Sequence, residues 1–391
     1  MKLAFVIHRY GDGVAGGSEA HCRGLAQELH KTHAVEVLTT CARDYLSWRN
    51  EFEPGETMVD GIRVTRYPTR RVRDLARFAS VSEHVFSEAH TRADEEQWVE
   101  ENGPFCPDLV DAVGRRTDVD FFLCYSYRYF TAAKSALISG RRAILIPTAE
   151  EDPAIHLTIF GELFRSVSGF LYLTPEEKEL IEKAAGEIPP PGRVIGSGIN
   201  TAAVGAGPRQ KLAAPASYLL YVGRIDRNKG VDILFRYYRW LADEWPECPP
   251  LLLVGHPVLE IPAHPKIRHL GYVSDDEKSS LIEGAEIVLM PSRYESLSMI
   301  VLEAWALSRP VLANAACAVL EGQCRRSNGG LFYHDYAEFR LALKRLMAAA
   351  ELRETLGAQG QRYVRATYSW AKAAAETSDL LLELQSRRSN A

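Results

Sequence analysis

Tyr218-Leu219-Leu220-Tyr221-Val222-Gly223-Arg224-Ile225-Asp226-Arg227-Asn228-Lys229-Gly230 carries an apolar run into a turn bounded by glycines and crowded with charge. Such a run suits a strand buried on both faces, and residues 231–245 beyond it have helical spacing. Strand, turn and helix in that order are the unit from which doubly wound parallel sheets are built. At the carboxyl end of that strand Arg224 offers a planar fork and Lys229 a point charge, a pair suited to two phosphates. A solvated charged loop is the alternative for the same residues.

The same unit opens the chain. Apolar runs at 2–7, 34–39, 119–125, 142–147 and 170–173 read as buried strands, and Glu19 to His30 as an amphipathic helix. Pro189-Pro190-Pro191, within the 187–192 stretch, excludes helix and cannot serve a central strand. After a second loop at 210–215 the pattern restarts, with further strands at 250–254, 286–290 and 310–313. A length of 391 residues exceeds one ordinary core. The expected organisation is α/β with two doubly wound domains facing each other: 1–188, a linker region 189–215, and 216–367.

A formal net charge of -5 argues against a chain that coats nucleic acid, so no nucleic-acid partner is expected. The seven cysteines, Cys22, Cys41, Cys106, Cys124, Cys248, Cys317 and Cys324, form no C-x-x-C pair and read as buried thiols of a reducing compartment. His8-Arg9 interrupts the apolar start too early for a signal peptide. No apolar stretch approaches the ~20 residues that cross a bilayer, which points to the cytoplasm. Arg63, Arg66, Arg70, Arg71, Arg73 and Arg77 form a basic stretch with only Asp74 against it. It is read either as a solvated loop and helix face, or as a patch for an anionic acceptor or the inner face of a membrane.

Two more signals carry chemistry. Gly11-Asp12-Gly13-Val14-Ala15-Gly16-Gly17-Ser18-Glu19 lies between the first strand and helix, where helix-start amides favour an anion; a flexible turn is the alternative. In Pro291-Ser292-Arg293-Tyr294-Glu295-Ser296-Leu297-Ser298-Met299-Ile300-Val301-Leu302-Glu303, two carboxylates eight residues apart follow a buried strand. Glu303 sits among apolar residues and is expected to face a polar partner, such as ligand hydroxyls. The helical rise puts the pair roughly 12 Å apart or less, within reach of one ligand. A capping Glu295 and an internally paired Glu303 are the alternative.

With these motifs in this order, the chain resembles the retaining GT-B glycosyltransferases of family GT4 (glycosyltransferase group 1) over most of its length. Gly16-Gly17-Ser18-Glu19 resembles the family's GG-x-E turn, Gly223-Arg224 to Lys229-Gly230 its phosphate clamp, and Glu295 to Glu303 its E-x7-E motif. The resemblance implies two Rossmann-like domains across a cleft, with the final helix, 368–391, packing back on the first. It implies that the Gly17 amide approaches the donor phosphates, that Gly223, Arg224 and Lys229 hold the diphosphate, that Glu295 contacts the sugar and that Glu303 contacts the ribose. Gly271-Tyr272-Val273 resembles the segment lining the base, and Ser298 and Met299 follow the first Glu of the motif at the donor.

The implied reaction is retaining transfer from a UDP- or GDP-sugar to a glycan, lipid-linked or small-molecule hydroxyl. It needs no resident cofactor and no metal, since Arg224 and Lys229 stabilise the leaving diphosphate. Two positions depart from the pattern: Glu150 stands where the family often has His, and Leu297-Ser298 where it usually has Phe-Gly. Glu150 is read as orienting the acceptor or supporting charge on the sugar. An epimerase or phosphorylase of the same architecture, or a non-catalytic nucleotide-sugar binder, is the alternative function.

Overall fold

The computed structural model describes residues 1–391 apart from Ala15, Glu187, Thr201, Ala202, Asn390 and Ala391. Ala15 of the glycine-rich turn, Glu187 of the proline break, Thr201 and Ala202 of the expected linker and the last two positions of the 368–391 helix thus lie outside the described residues. The chain forms two compact units, Met1–Gly198 with Ser369–Ala391, and Ile199–Tyr368.

The first unit contains β1 (Lys2–Val6), β2 (Ala34–Thr40), β3 (Gly55–Val59), β4 (Ile62–Tyr67), β5 (Phe121–Tyr125), β6 (Ala143–Ile146), β7 (Gly169–Tyr172) and β8 (Gly192–Val194). They form one sheet in the order β3-β4-β2-β1-β5-β6-β7-β8. All pairs are parallel except β3 with β4. Helices cover the sheet, so β5 to β7 are apolar and buried throughout. The edge pair β3–β4 was not legible in the sequence, because β3 is exposed and the inward Ile62, Val64 and Arg66 of β4 alternate with outward residues. Two arginines expected in a loop, Arg63 and Arg66, therefore lie on a strand.

The boundary also differs from the expected 189–215 linker. The prolines end just before β8, an edge strand that pairs with β7, a position proline tolerates because its missing N–H is not needed there. Helix Gly207–Lys211 already belongs to the second unit, where the Arg209 N–H donates to Ser280 Oγ at 3.2 Å. The final helix, Trp370–Ser389, packs on the first unit as expected, with Leu380, Leu381 and Leu384 buried. Gly24 and Gly198 flank the Trp370 ring so closely that a Cβ on either would sit 2.1 or 2.2 Å from it.

Beside that ring, His21 is buried and fully satisfied as a neutral imidazole. Its Nε2–H donates to the Gly196 carbonyl at 2.8 Å and its Nδ1 accepts from the Tyr125 hydroxyl at 3.0 Å. Burial pushes its pKa down to about 4, with the Gly196 carbonyl opposing. Between pH 6.5 and 4 the unfolded chain binds this proton and the folded chain does not, so stability is lost as pH drops through that window. The contribution is about 3 kcal/mol. Urea unfolding of His21→Asn should show a correspondingly shallower acid dependence than the parent; equal slopes would remove His21 as the cause.

The second unit contains β9 (Leu219–Val222), β10 (Leu251–Val254), β11 (Ile267–His269), β12 (Ile287–Met290), β13 (Val311–Asn314) and β14 (Gly330–Tyr333), in the order β11-β10-β9-β12-β13-β14. Every pair is parallel. Helix Val231–Glu244 buries Val231, Leu234, Phe235, Tyr238 and Leu241 along one stripe. From β9 the chain winds first to one side, to β10 and β11, and then to the other, through β12. Loops leaving the carboxyl ends of β9 and β12 therefore meet at a topological switch point, where open α/β sheets bind ligands. All seven cysteines are buried free thiols, and among the described residues no helix is long and apolar enough to cross a membrane.

Candidate functional site

The turn after β9 is braced from within. Asp226, mostly buried, accepts the Lys229 backbone N–H at 2.8 Å and the Arg224 Nε–H. The Tyr221 hydroxyl donates to the Arg224 carbonyl at 2.7 Å. Gly223 (φ 149°) and Gly230 (φ 66°) hold backbone that side chains avoid, and a Cβ on Gly230 would lie 2.1 Å from the Pro291 carbonyl oxygen. Gly230 thus lets the β9 turn rest against the β12 loop.

That contact brings two motifs together. Lys229 Nζ meets Glu295 Oε1 at 2.8 Å across 66 residues of sequence. Lys229 and Arg224 keep about a quarter and a third of their side chains in solvent, whereas Glu295 keeps a tenth. The charged-loop alternative therefore fails for Lys229, and Glu295 is an ion-pair partner, not a cap. Ser298 begins helix Met299–Ala306 at φ 61° and ψ 86°, so serine here adopts the left-handed conformation that glycine usually supplies, at a cost of about 1 kcal/mol. The backbone at Leu297-Ser298 thus passes through the left-handed region despite the Cβ of serine. Gln323 Nε2 steadies it by donating to the Leu297 carbonyl at 2.6 Å.

Glu303 is 12 % exposed and its Oε1 accepts from Lys278 Nζ at 3.0 Å. The internal pairing is thus real, but Oε2 is buried without a hydrogen-bond partner among the described residues. Burial pushes the Glu303 carboxyl up from its ordinary value, against the pull of Lys278. Gly271 (φ 75°) precedes the exposed Tyr272, and Val273 is buried. The Gly271 carbonyl accepts the Gly255 N–H at 2.9 Å, which ties this segment to the end of β10.

In the first unit, Gly16 precedes helix Gly17–His30 and Gly17 opens it; among the described residues, apart from its chain neighbours and its own helix backbone, nothing lies within 4 Å of a Cβ on Gly17. A Cβ on Gly16 would strike the Glu19 carboxylate at 2.1 Å. Glu19 folds under the turn, where it pairs with Arg9 Nη2, accepts from Ser18 Oγ at 2.8 Å and meets His8 Nε2 at 3.0 Å. Burial opposes its charge, but His8 and Arg9 outweigh burial and hold it well below the usual carboxylate range. Burial also lowers the pKa of His8, against the pull of Glu19. The motif's glutamate is thus a structural brace.

Glu150 follows β6, 4.0 Å from Arg128, whose other branch pairs with Asp152. The preceding N–H, that of Ala149, donates to the buried Glu177 at 2.6 Å, so the loop bearing Glu150 is pinned. The basic stretch is largely engaged inside the first unit. Arg63 pairs with Glu36, Arg70 with Asp108, and Arg71 and Arg77 with Glu101. Arg66 is buried with a bond to the Tyr10 carbonyl, and Arg73 lies over the Phe78 ring. Asp118-Val119-Asp120, the chain's D-x-D triplet, lies at the amino end of β5. There Asp118 pairs with Arg116 and Lys2, and Asp120 accepts the Lys2 N–H. Among the described residues no group of three His, Cys, Asp or Glu could hold a metal ion. Sequence reasoning missed Lys278, Asp226 and Arg128; only the Asp between Arg224 and Lys229 carried a signal.

Two parallel, doubly wound units with a charged switch point define the GT-B class of fold. Sucrose-phosphate synthase of Thermosynechococcus elongatus superposes over 99% of both chains at a TM-score of 0.71, with 16% identity. HepE of Anabaena, in complex with UDP, superposes over 98% of this chain and all of that one at 0.69, with 15% identity. Residues 216–349 match the family model described as glycosyl transferases group 1. D-inositol 3-phosphate glycosyltransferase of Streptomyces coelicolor is 31% identical over 214 residues. That alignment takes in 49% of this chain and 46% of the relative, so the chain spans about half the length of this curated relative.

Proposed function

We propose that this chain is a retaining glycosyltransferase that moves a sugar from a nucleoside diphosphate sugar to an acceptor hydroxyl, with the nucleotide held by the second unit. The observation that carries the reading is the switch point, where Lys229 and Glu295 meet beside an arginine and a helix start. On donor binding, Lys229 exchanges Glu295 for the diphosphate, and Glu295 is freed to accept from sugar hydroxyls. Arg224 and Lys229 then take up the charge that develops on the diphosphate as the glycosidic bond breaks. The Met299 amide, at a helix start after Ser298, adds a dipole for the same anion. Glu303 accepts from the ribose, and Gly271 and Val273 line the base.

The acceptor attacks on the face the diphosphate leaves, through an oxocarbenium-like state, and its proton passes to the donor phosphate. No protein nucleophile is needed. Glu150, with Arg128 beside it, orients the acceptor: a glycan, a lipid-linked chain or a small molecule. The UDP complex of a protein with the same fold favours UDP as the first donor to test.

The test is a thermal-shift screen with UDP, GDP, ADP, TDP and their sugar conjugates in the presence of a chelator. A ligand that binds only the native state raises its stability, by about 2.7 kcal/mol at a hundredfold excess over Kd. One nucleotide should shift the melting temperature, Arg224→Ala should abolish the shift, and Glu303→Ala should reduce it. No shift with any of them would overturn the reading.

A further inference from the structure

Lys278 lies outside every motif considered so far. It projects from helix Asp275–Gly284, whose start is closed by a Ser274–Glu277 capping box. Its ammonium meets Glu303 Oε1 at 3.0 Å and Asp275 at 3.2 Å. Asp275 is almost fully exposed, whereas Glu303 is enclosed, so the buried contact is the one with Glu303. The remaining carboxylate oxygen, Oε2, is buried with nothing donating to it among the described residues.

A carboxylate removed from water is driven to take up a proton unless a cation stands beside it. Protonation would turn one of its acceptor sites into a donor. A ribose presents two hydroxyls that both donate most strongly to an ionised oxygen, so a neutral acid at this position would be a poorer partner for the diol. Lys278 supplies the needed cation from one side only and leaves Oε2 unused.

We infer that Lys278 is a positioning residue for the donor nucleotide: it pins Glu303 through Oε1 and keeps it an ionised acceptor whose second oxygen receives the ribose diol. This rests on the assignment of Glu303 to the ribose made above. Lys278 is committed to two carboxylates and is not itself a phosphate ligand.

Calorimetric titration of the full chain with UDP and GDP and with their 2′,3′-dideoxy forms separates the two claims. The parent should bind the better ribonucleotide about tenfold or more tightly than its dideoxy form. Lys278→Met should lose most of that difference by weakening the ribonucleotide alone, leaving dideoxy binding within about twofold of the parent. Lys278→Arg should restore it, and Lys278→Met should have no further effect in a Glu303→Gln background. Dideoxy binding also serves as the folding control, with Lys278→Gln as a second charge-removing variant should Lys278→Met not fold. A full ribose preference in a folded Lys278→Met or Lys278→Gln overturns the role of Lys278 while leaving Glu303 in place. A parent that does not distinguish the two sugars, or binds neither nucleotide, overturns both assignments.

Discussion

Replacing Lys229 with alanine is expected to lower sugar transfer by about a thousandfold, the range seen when one preorganised charge-stabilising donor is removed from an active site. Two effects act in the same direction. The diphosphate loses a fixed cation at the moment its charge grows. Glu295, a tenth exposed and paired at 2.8 Å, is left as an unpaired carboxylate where the anion must bind. The second effect predicts that Lys229→Met combined with Glu295→Gln is less damaged in nucleotide affinity than Lys229→Met alone, because the repulsion is gone. Lys229→Arg keeps the charge but replaces a compact ammonium by a planar fork, so partial activity is expected. The measurement is the rate of nucleoside diphosphate release from the donor that stabilises the protein, in the presence of acceptor. Turnover of Lys229→Ala within tenfold of the parent would falsify the assignment of this lysine to the leaving group.

Glu19→Ala should cost the first unit about 3–5 kcal/mol, the penalty for removing one partner of a buried ion pair. Arg9 is 6 % exposed, and its buried guanidinium would lose the Glu19 carboxylate. Its neighbour His8 would lose its acceptor, and its Nδ1 already lacks a partner among the described residues. Because the Glu19 carboxyl is held below its ordinary value, its contribution is present at neutral pH and lost only as acid reaches the folded pKa. Native-state hydrogen exchange of the β1 and β2 amides reads this unit separately from the other. Protection unchanged in Glu19→Ala would mean that Arg9 is satisfied without it. The same experiment separates a brace from a ligand-binding role, since a residue needed only for donor contact would leave exchange in the ligand-free protein untouched.

Much of both units could be read from residue order alone. Runs such as Phe121–Tyr125 and Leu219–Val222 are apolar because parallel strands are covered on both faces, and that composition survives any change of neighbours. The elements that escaped are those whose stability comes from a partner. β3 is exposed and exists only by pairing with β4; β8 is three residues long and held by β7; β11, equally short, is held by β10. The buried carboxylates Glu95 and Glu177 look like ordinary polar helix residues in sequence. They are buried because Glu95 accepts from the Thr158 and Ile159 amides, and Glu177 from those of Ala149 and Leu173.

For the site the division is equally physical. The sequence by itself determined which residue types leave the strand ends: Gly223, Arg224, Lys229 and Gly230 after one strand, Glu295, Ser298 and Glu303 after another. Local chemistry suffices there, because turn glycines and clustered cations follow from backbone conformation and charge. Only the tertiary structure decided which charges meet. Lys229 finds Glu295 because β9 and β12 are neighbours at the point where the winding reverses, and Lys278 finds Glu303 because two helices pack side by side. Ion pairing acts through space over a few ångströms, and distance along the chain carries no record of it.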